Sequence, residues 1–227
     1  IAGEASGDLH GGNLMKALNQ ERKDINFRFW GGDQMKMNGG ELVKHISDLA
    51  FMGFIEVLFN IKKIIQNLKF CKKDILDFNP DAVILIDYPG FNLRIAEWAH
   101  AQGIKVYYYI SPQVWAWKKS RVHKIKRCVD KMFVILPFEK DFYKQFDYEV
   151  DYVGNPLLDA IKSYGNETNE ASFFDKHQLP NLPIIAVLPG SRKQEIMRKL
   201  PIMLDALKDF EGYQFIVACA PNLDDEE

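Results

Sequence analysis

Asp81-Ala-Val-Ile-Leu-Ile-Asp-Tyr-Pro-Gly-Phe-Asn92 is the stretch on which the fold turns. An unbroken apolar run over 82–86 is closed by an acid and a Pro-Gly pair, and a helical pattern follows over 91–102. A run apolar at every position suits a strand buried on both faces of a parallel sheet, whereas a strand with one wet face alternates. The same rhythm recurs along the chain. Strands are expected at 1–2, 27–30, 105–110, 131–136, 149–153, 184–188 and 213–219, and helices at 9–22, 55–78, 115–128, 138–145 and 194–210. Alternation of this kind specifies a doubly wound α/β sheet. It breaks over 159–182, where Ser163-Tyr-Gly-Asn-Glu-Thr-Asn-Glu170 is polar and turn-rich, and restarts at Ile184. The expected organisation is one nearly whole Rossmann-like domain over 1–160, then a linker and the start of a second over 161–227. Only Ile1 and Ala2 precede the first glycine, where a strand has about five residues, so both ends read as cut.

Bulk composition narrows the function classes. At 47% hydrophobic and 26% charged, 227 residues are enough for one large domain or one and a half. A net charge of -2 argues against nucleic acid as a partner. The charge is uneven, however: 118–131 holds seven basic residues against Asp130, and 51–73 holds five lysines against Glu56. Three scattered cysteines without a CxxC fit a reducing compartment. The five histidines have no metal-ligand spacing, so no metal is expected. No window offers the ~20 continuous apolar residues of a spanning helix. The expectation is a cytoplasmic protein, soluble or peripheral.

In open α/β sheets, ligands bind beyond the carboxyl ends of the strands, which selects three loops. The first, Gly3-Glu-Ala-Ser-Gly-Asp-Leu-His-Gly-Gly12, is a glycine-rich turn into a helix. It lacks the GxGxxG fingerprint, and Glu4 and Asp8 would repel a phosphate. Ser6 or Asp8 is as well read as a helix cap, and Glu4 is evenly balanced between function and structure. The second loop carries Asp87, where partial burial would raise the pKa toward that of a general base. The competing reading is a helix cap, a role open to Asn92 as well. The third, Leu188-Pro-Gly-Ser-Arg192, offers Gly190 and Ser191 N–H groups and the Arg192 guanidinium as a diphosphate grip, or is an ordinary βα loop.

Two further stretches bear on surfaces. Phe54, Ile55, Val57, Leu58 and Ile61, followed by Lys62 and Lys63, suit either a helix lying in a membrane interface or one buried on most of its surface. Ser111-Pro-Gln-Val-Trp-Ala-Trp-Lys-Lys-Ser-Arg121 sets two of the four tryptophans against cations, as a sugar, acyl chain or phosphate would require.

These segments, together with Leu136-Pro-Phe-Glu139 and Val153-Gly-Asn-Pro156, fall in an order that resembles the lipid-A-disaccharide synthase family. The resemblance implies a GT-B architecture of two Rossmann-like halves, with 1–160 on the acceptor side and 161–227 opening the nucleotide-sugar half. It implies an inverting hexosyltransferase that moves 2,3-diacylglucosamine from its UDP donor to 2,3-diacylglucosamine 1-phosphate, lipid X, without a cofactor. By the resemblance Asp87 is the general base and Glu4 orients the acceptor or is itself the base. Gly190, Ser191 and Arg192 hold the donor diphosphate. Ser6, Asp8, Ser111, Gln113, Trp115, Arg121 and Asn155 meet the acceptor, with Lys124 and Lys126 as further cations for its phosphate. The 54–63 stretch meets acyl chains at the anionic inner face of the inner membrane, and a homodimer is among the expected assemblies. Gly90 stands where some relatives carry a second acid. Another GT-B transferase or epimerase, or a membrane-binding module without catalysis, are the alternatives. A chain lacking most of the second half is expected to be inactive alone.

Overall fold

The computed structural model describes residues 1–49, 61–164, 170–191 and 193–219, excluding the side chains of 163, 164, 170–172 and 193. The chain divides into two compact units, Ile1–Asp159 and Ala160–Glu227.

In the first unit, helix α1 (Ala5–Glu21), strand β1 (Arg28–Gly31), helix α2 (Asp33–Lys36) and strand β2 (Glu41–His45) come first. Helix α3 (Ile61–Phe78), strand β3 (Ala82–Ile86), helix α4 (Pro89–Ala101) and strand β4 (Lys105–Tyr109) follow. Then come α5 (Val114–Trp117), α6 (Arg121–Cys128), β5 (Lys131–Val134), α7 (Phe138–Lys144) and β6 (Asp151–Tyr152), and α8 (Leu157–Tyr164) runs across the boundary between the units. Strands β1 and β2 pair in parallel, and β3, β4, β5 and β6 form a second parallel sheet in that order.

Residues 1 and 2 join the two. The Ala2 N–H donates to the Trp30 carbonyl (2.9 Å), the Ile86 N–H donates to the Ile1 carbonyl (2.9 Å), and the Ile1 nitrogen donates to the Ile84 carbonyl (2.6 Å). The sheet therefore runs β2, β1, residues 1–2, β3, β4, β5, β6.

Both faces are covered, which is why the β3 and β4 runs are apolar. On one face Ile86, Ala2 and Phe29 pack with Met15 of α1 and Met35 of α2. On the other, Leu85, Val106 and Tyr108 pack with Ile95 and Ala99 of α4, Ile125 of α6 and Ile75 of α3. Gly11 lets α1 lie close: a Cβ there would sit 2.7 Å from the Met35 sulfur. Buried Asp74 of α3 accepts from Arg28 Nη2 of β1 at 2.6 Å, tying that helix to the sheet.

The second unit pairs β7 (Ile184–Val187) with β8 (Gln214–Val217) in parallel, and α10 (Lys193–Ala206) makes the crossover. Helix α9 (Glu170–Lys176) precedes them.

The structure departs from the expected elements in five places. Helix α1 begins at Ala5, so most of the glycine-rich turn is helix. Helix α2 and strand β2 were not foreseen. The single helix expected over 115–128 is two, because Lys118 leaves the helical region (φ −144°, ψ 56°). The expected break over 159–182 carries most of α8 and all of α9.

Buried Asp8 closes the α1–α2 junction. Its carboxylate accepts from the backbone N–H of Gly32 (2.6 Å), Gln34 (3.0 Å) and Met35 (3.0 Å), capping the start of α2 from another helix. Asp8→Ala should leave these donors unpaired and cost on the order of 3 kcal/mol, against about half that for Asp8→Asn. Urea unfolding of the full-length protein checks this; an unchanged midpoint for Asp8→Ala would remove the capping role.

Candidate functional site

Two strained corners meet at the carboxyl ends of β3 and β4. Beyond Ile86 the backbone enters the left-handed region twice in succession, at Asp87 (φ 43°) and Tyr88 (φ 49°), before Pro89 opens α4. Beyond Tyr109, Ile110 does the same (φ 64°). Asp tolerates this region, whereas an aromatic or β-branched residue does not, and each such residue costs about 1–3 kcal/mol. The Asp87 N–H is held by the Tyr109 carbonyl (3.1 Å). The Asp87 carbonyl accepts from the Tyr108 hydroxyl (2.6 Å) and from Asn92 Nδ2 (2.8 Å).

A pocket of about 300 Å³ opens at these corners. Asp87 and Pro89 line one part of its wall, and Pro112, Gln113 and Val114 another. Trp117, Lys118 and Arg121 complete it. Trp117 is 83% exposed, a flat apolar surface beside two cations.

Burial first and the nearby Glu4 carboxylate second push the Asp87 carboxyl up to about 6, against a backbone hydrogen bond from Tyr88 that opposes the shift. Burial and Glu4 also raise the Tyr88 phenol. Glu4 sits at the N-cap position of α1 in extended backbone and makes no side-chain cap bond. Its loop presses on the corner: a Cβ on Gly3 would lie 2.3 Å from the Tyr88 ring, so only glycine fits. A carboxyl that titrates near neutrality, beside a second acid and across a pocket that also holds cations, can take a proton from a hydroxyl of an anionic ligand.

The remaining expected residues divide. Gln113 and Arg121 line the pocket with Asp87. Ser6 is exposed on the first turn of α1. Asp8 belongs to the α2 cap, and its committed oxygens remove it from acceptor contact. Ser111 is also corrected: it is buried, its hydroxyl lies 2.6 Å from the Tyr143 hydroxyl, and it donates to the Pro112 carbonyl (3.0 Å). Buried Glu139 joins the same network and accepts the Leu136 N–H (2.9 Å). Trp115 packs edge-on against Phe138 at 5.1 Å, so Trp117 and not Trp115 is the tryptophan at the pocket. Asn155 Oδ1 accepts the Leu157 N–H (3.0 Å), which makes it a cap for α8. Asn92 caps nothing; its amide donates to the carbonyls of Ile1, Ile86 and Asp87. Lys124 pairs with Glu97 (2.8 Å) and Lys126 donates to the Phe146 carbonyl (3.0 Å), and neither lines the pocket. Lys118, one of the cations that follow the tryptophans in the 111–121 stretch but not among the expected acceptor contacts, does.

In the second unit Gly190 has φ 126° and packs against Glu195, whose Oε2 would lie 2.5 Å from a Cβ there. Ser191 is exposed just before α10. A helix N-terminus attracts anions, and the carboxylate of Glu195 stands in its first turn. Arg192 lies outside the described residues, as do Phe54, Ile55, Val57 and Leu58. Ile61, Lys62 and Lys63 open α3 and are exposed. Among the described residues no group of three His, Cys, Asp or Glu side chains could hold a metal, and no helix is long and apolar enough to cross a membrane.

Residues 1–225 match the family model described as lipid-A-disaccharide synthetase. The lipid-A-disaccharide synthase of Myxococcus xanthus is 42% identical over 100% of this chain and 60% of its own length. That of Syntrophus aciditrophicus is 42% identical over 99% of this chain and 59% of its own. The chain thus spans about 60% of the length of these curated relatives. A solved Listeria monocytogenes protein described as a UDP-N-acetylglucosamine 2-epimerase superposes with a TM-score of 0.65 at 10% identity, over 98% of this chain and 61% of that one. A UDP-GlcNAc 2-epimerase of Neisseria meningitidis bound to UDP-GlcNAc gives 0.56 at 12% identity, over 96% and 63%. At such identities the likeness is one of fold, and the fold is α/β of GT-B type. The chain belongs to the lipid-A-disaccharide synthetase family.

Proposed function

We propose that this chain carries the acceptor side, and the beginning of the donor side, of an inverting glycosyltransferase of lipid A assembly. The donor is UDP-2,3-diacylglucosamine and the acceptor 2,3-diacylglucosamine 1-phosphate; the products are the β-1',6 disaccharide 1-phosphate and UDP. The observation that carries the reading is Asp87, a half-buried carboxylate poised near neutrality in a pocket that also holds Lys118 and Arg121. Asp87 takes the proton of the acceptor 6-hydroxyl as that oxygen attacks the anomeric carbon. The carbon–oxygen bond to the diphosphate breaks, its electron pair leaves with UDP, and the configuration inverts. Lys118 and Arg121 meet the acceptor phosphate. Gln113 and the Trp117 face hold the sugar. Glu4 raises the basicity of Asp87 and orients the acceptor. Gly190, Ser191 and Arg192 take the donor diphosphate, and the charge they offer makes a metal unnecessary. The GT-B likeness to a UDP-GlcNAc-bound protein supports a UDP-sugar donor.

A second contact, with an anionic membrane surface, is favoured by the opening of α3. Ile61 and Ile65 are 52% and 47% exposed, beside exposed Lys62 and Lys63.

Asp87→Asn in the full-length protein should lower transfer by about 10²–10⁴-fold with the fold intact, since Asn also accepts the left-handed backbone. Wild-type turnover by that variant, in an assay with acylated donor and lipid X, would exclude Asp87 as base. In the wild type, kcat/KM should fall on the acid side with an inflection at about 6, because only the ionised carboxylate accepts a proton.

The same shift predicts stability. The folded carboxyl binds its proton more tightly than the unfolded one, so this contribution is present below about 3.8 and is lost as pH rises through about 6. Relative to wild type, Asp87→Asn should gain stability between pH 4 and pH 8, by at most about 3 kcal/mol. Thermal melts at the two pH values measure it; a pH-independent difference contradicts the shift.

Full-length Lys62→Glu/Lys63→Glu should lose co-sedimentation with phosphatidylglycerol vesicles at low salt, and undiminished binding would place the membrane contact elsewhere.

A further inference from the structure

Tyr108 lies on β4 with no exposed surface, and its hydroxyl points along the sheet to the neighbouring corner. There it donates to the Asp87 carbonyl (2.6 Å), which also receives Asn92 Nδ2 (2.8 Å). Asn92 is fully buried as well and reaches the Ile86 carbonyl (3.2 Å) and the Ile1 carbonyl (3.3 Å). A carbonyl that accepts two buried donors has both its lone pairs engaged, and its peptide plane cannot rotate without leaving both donors in an apolar interior. That plane joins Asp87 to Tyr88, the two left-handed residues. Of the two, Tyr88 is the residue type for which this region is unfavourable. Relaxing the corner would turn the Asp87 side chain away from the pocket it lines.

We propose that Tyr108 and Asn92 are positioning residues, which clamp the Asp87–Tyr88 peptide and thereby aim the Asp87 carboxylate into the pocket. The inference rests on the reading of Asp87 as the base. Neither side chain lines the pocket, so they act through Asp87 and not on a substrate. Burial, with the charge of Asp87 second, holds the Tyr108 phenol well above its ordinary range, so the hydroxyl stays a donor throughout the working pH.

A double-mutant cycle on the full-length protein tests the clamp. Tyr108→Phe removes one oxygen and keeps the ring. It should lower kcat by roughly 10- to 100-fold, the scale of a misplaced catalytic group, with KM for both substrates within about twofold. Tyr88→Asn supplies a residue at ease in the left-handed region, so the corner no longer needs the clamp. In that background Tyr108→Phe should cost about threefold or less, whereas independent effects would multiply. Multiplicative effects, or a Tyr108→Phe enzyme with wild-type kcat, overturn the clamp while leaving Asp87 as base. Turnover by Asp87→Asn in the same assay removes the base and the proposal with it. If Tyr108→Phe fails to fold, Asn92→Ala enters the same cycle with the same two outcomes.

Discussion

The first unit hangs on the seam that Ile1 and Ala2 make. Ile1 and Ala2 hydrogen-bond to β1 on one side and to β3 on the other, and without them the sheet is two separate pieces. The seam also sets the register of the site. Because the Ile86 N–H meets the Ile1 carbonyl, the residues that follow each strand end leave the sheet side by side. Gly3 then abuts Tyr88, and Glu4 comes close enough to Asp87 to raise its pKa. Asn92 locks the arrangement from α4, since its one amide group reaches carbonyls on the seam, on β3 and on the corner.

Charge in the pocket follows from that packing. Asp87 is desolvated first and repelled by Glu4 second. The Tyr88 N–H restrains the shift, which stops near neutrality. For the proposed base, a larger shift would leave the carboxyl protonated at neutral pH, and a smaller one would make it too weak to take a hydroxyl proton. The cations sort by packing too. The break after Trp117 lets Lys118 and Arg121 reach the pocket, while Lys124 and Lys126, further along α6, are occupied by Glu97 and Phe146.

What the sequence disclosed was whatever depends on local pattern. The 82–86 run matched β3 residue for residue, because burial on both faces leaves one composition. Asp87 was legible from its place at the end of that run. Strand β2 was not: only five residues long, it carries Glu41, Lys44 and His45 and lacks the continuous apolar signal. The break at Lys118 has no glycine or proline to announce it. Asp8 was open to reading as a ligand or as the cap of its own helix, and it caps a different helix, 24 residues away from Gly32. Ser111 looked like a ligand for the same reason: its partner Tyr143 is 32 residues distant. Asp8 and Ser111 are polar side chains whose partners are remote in sequence, a relation that no window of periodicity contains.

The residue choice at the corners is the last piece. Glycine at 88 and 110 would take the left-handed conformation at little cost, and would also let the backbone leave it. Instead the chain uses tyrosine and isoleucine, which are strained there and are held by what surrounds them. The Tyr88 ring stacks on Phe91 at 5.7 Å and fills the space beside Gly3, and Ile110 packs, partly buried, against the cluster that holds Ala2, Phe29 and Ile86. Strain of this kind persists only where packing and hydrogen bonds over-determine the backbone. Its consequence for the proposed base is a fixed Cα–Cβ direction at Asp87. A base on a relaxed turn would sample many directions, and each would have to be narrowed again at every turnover.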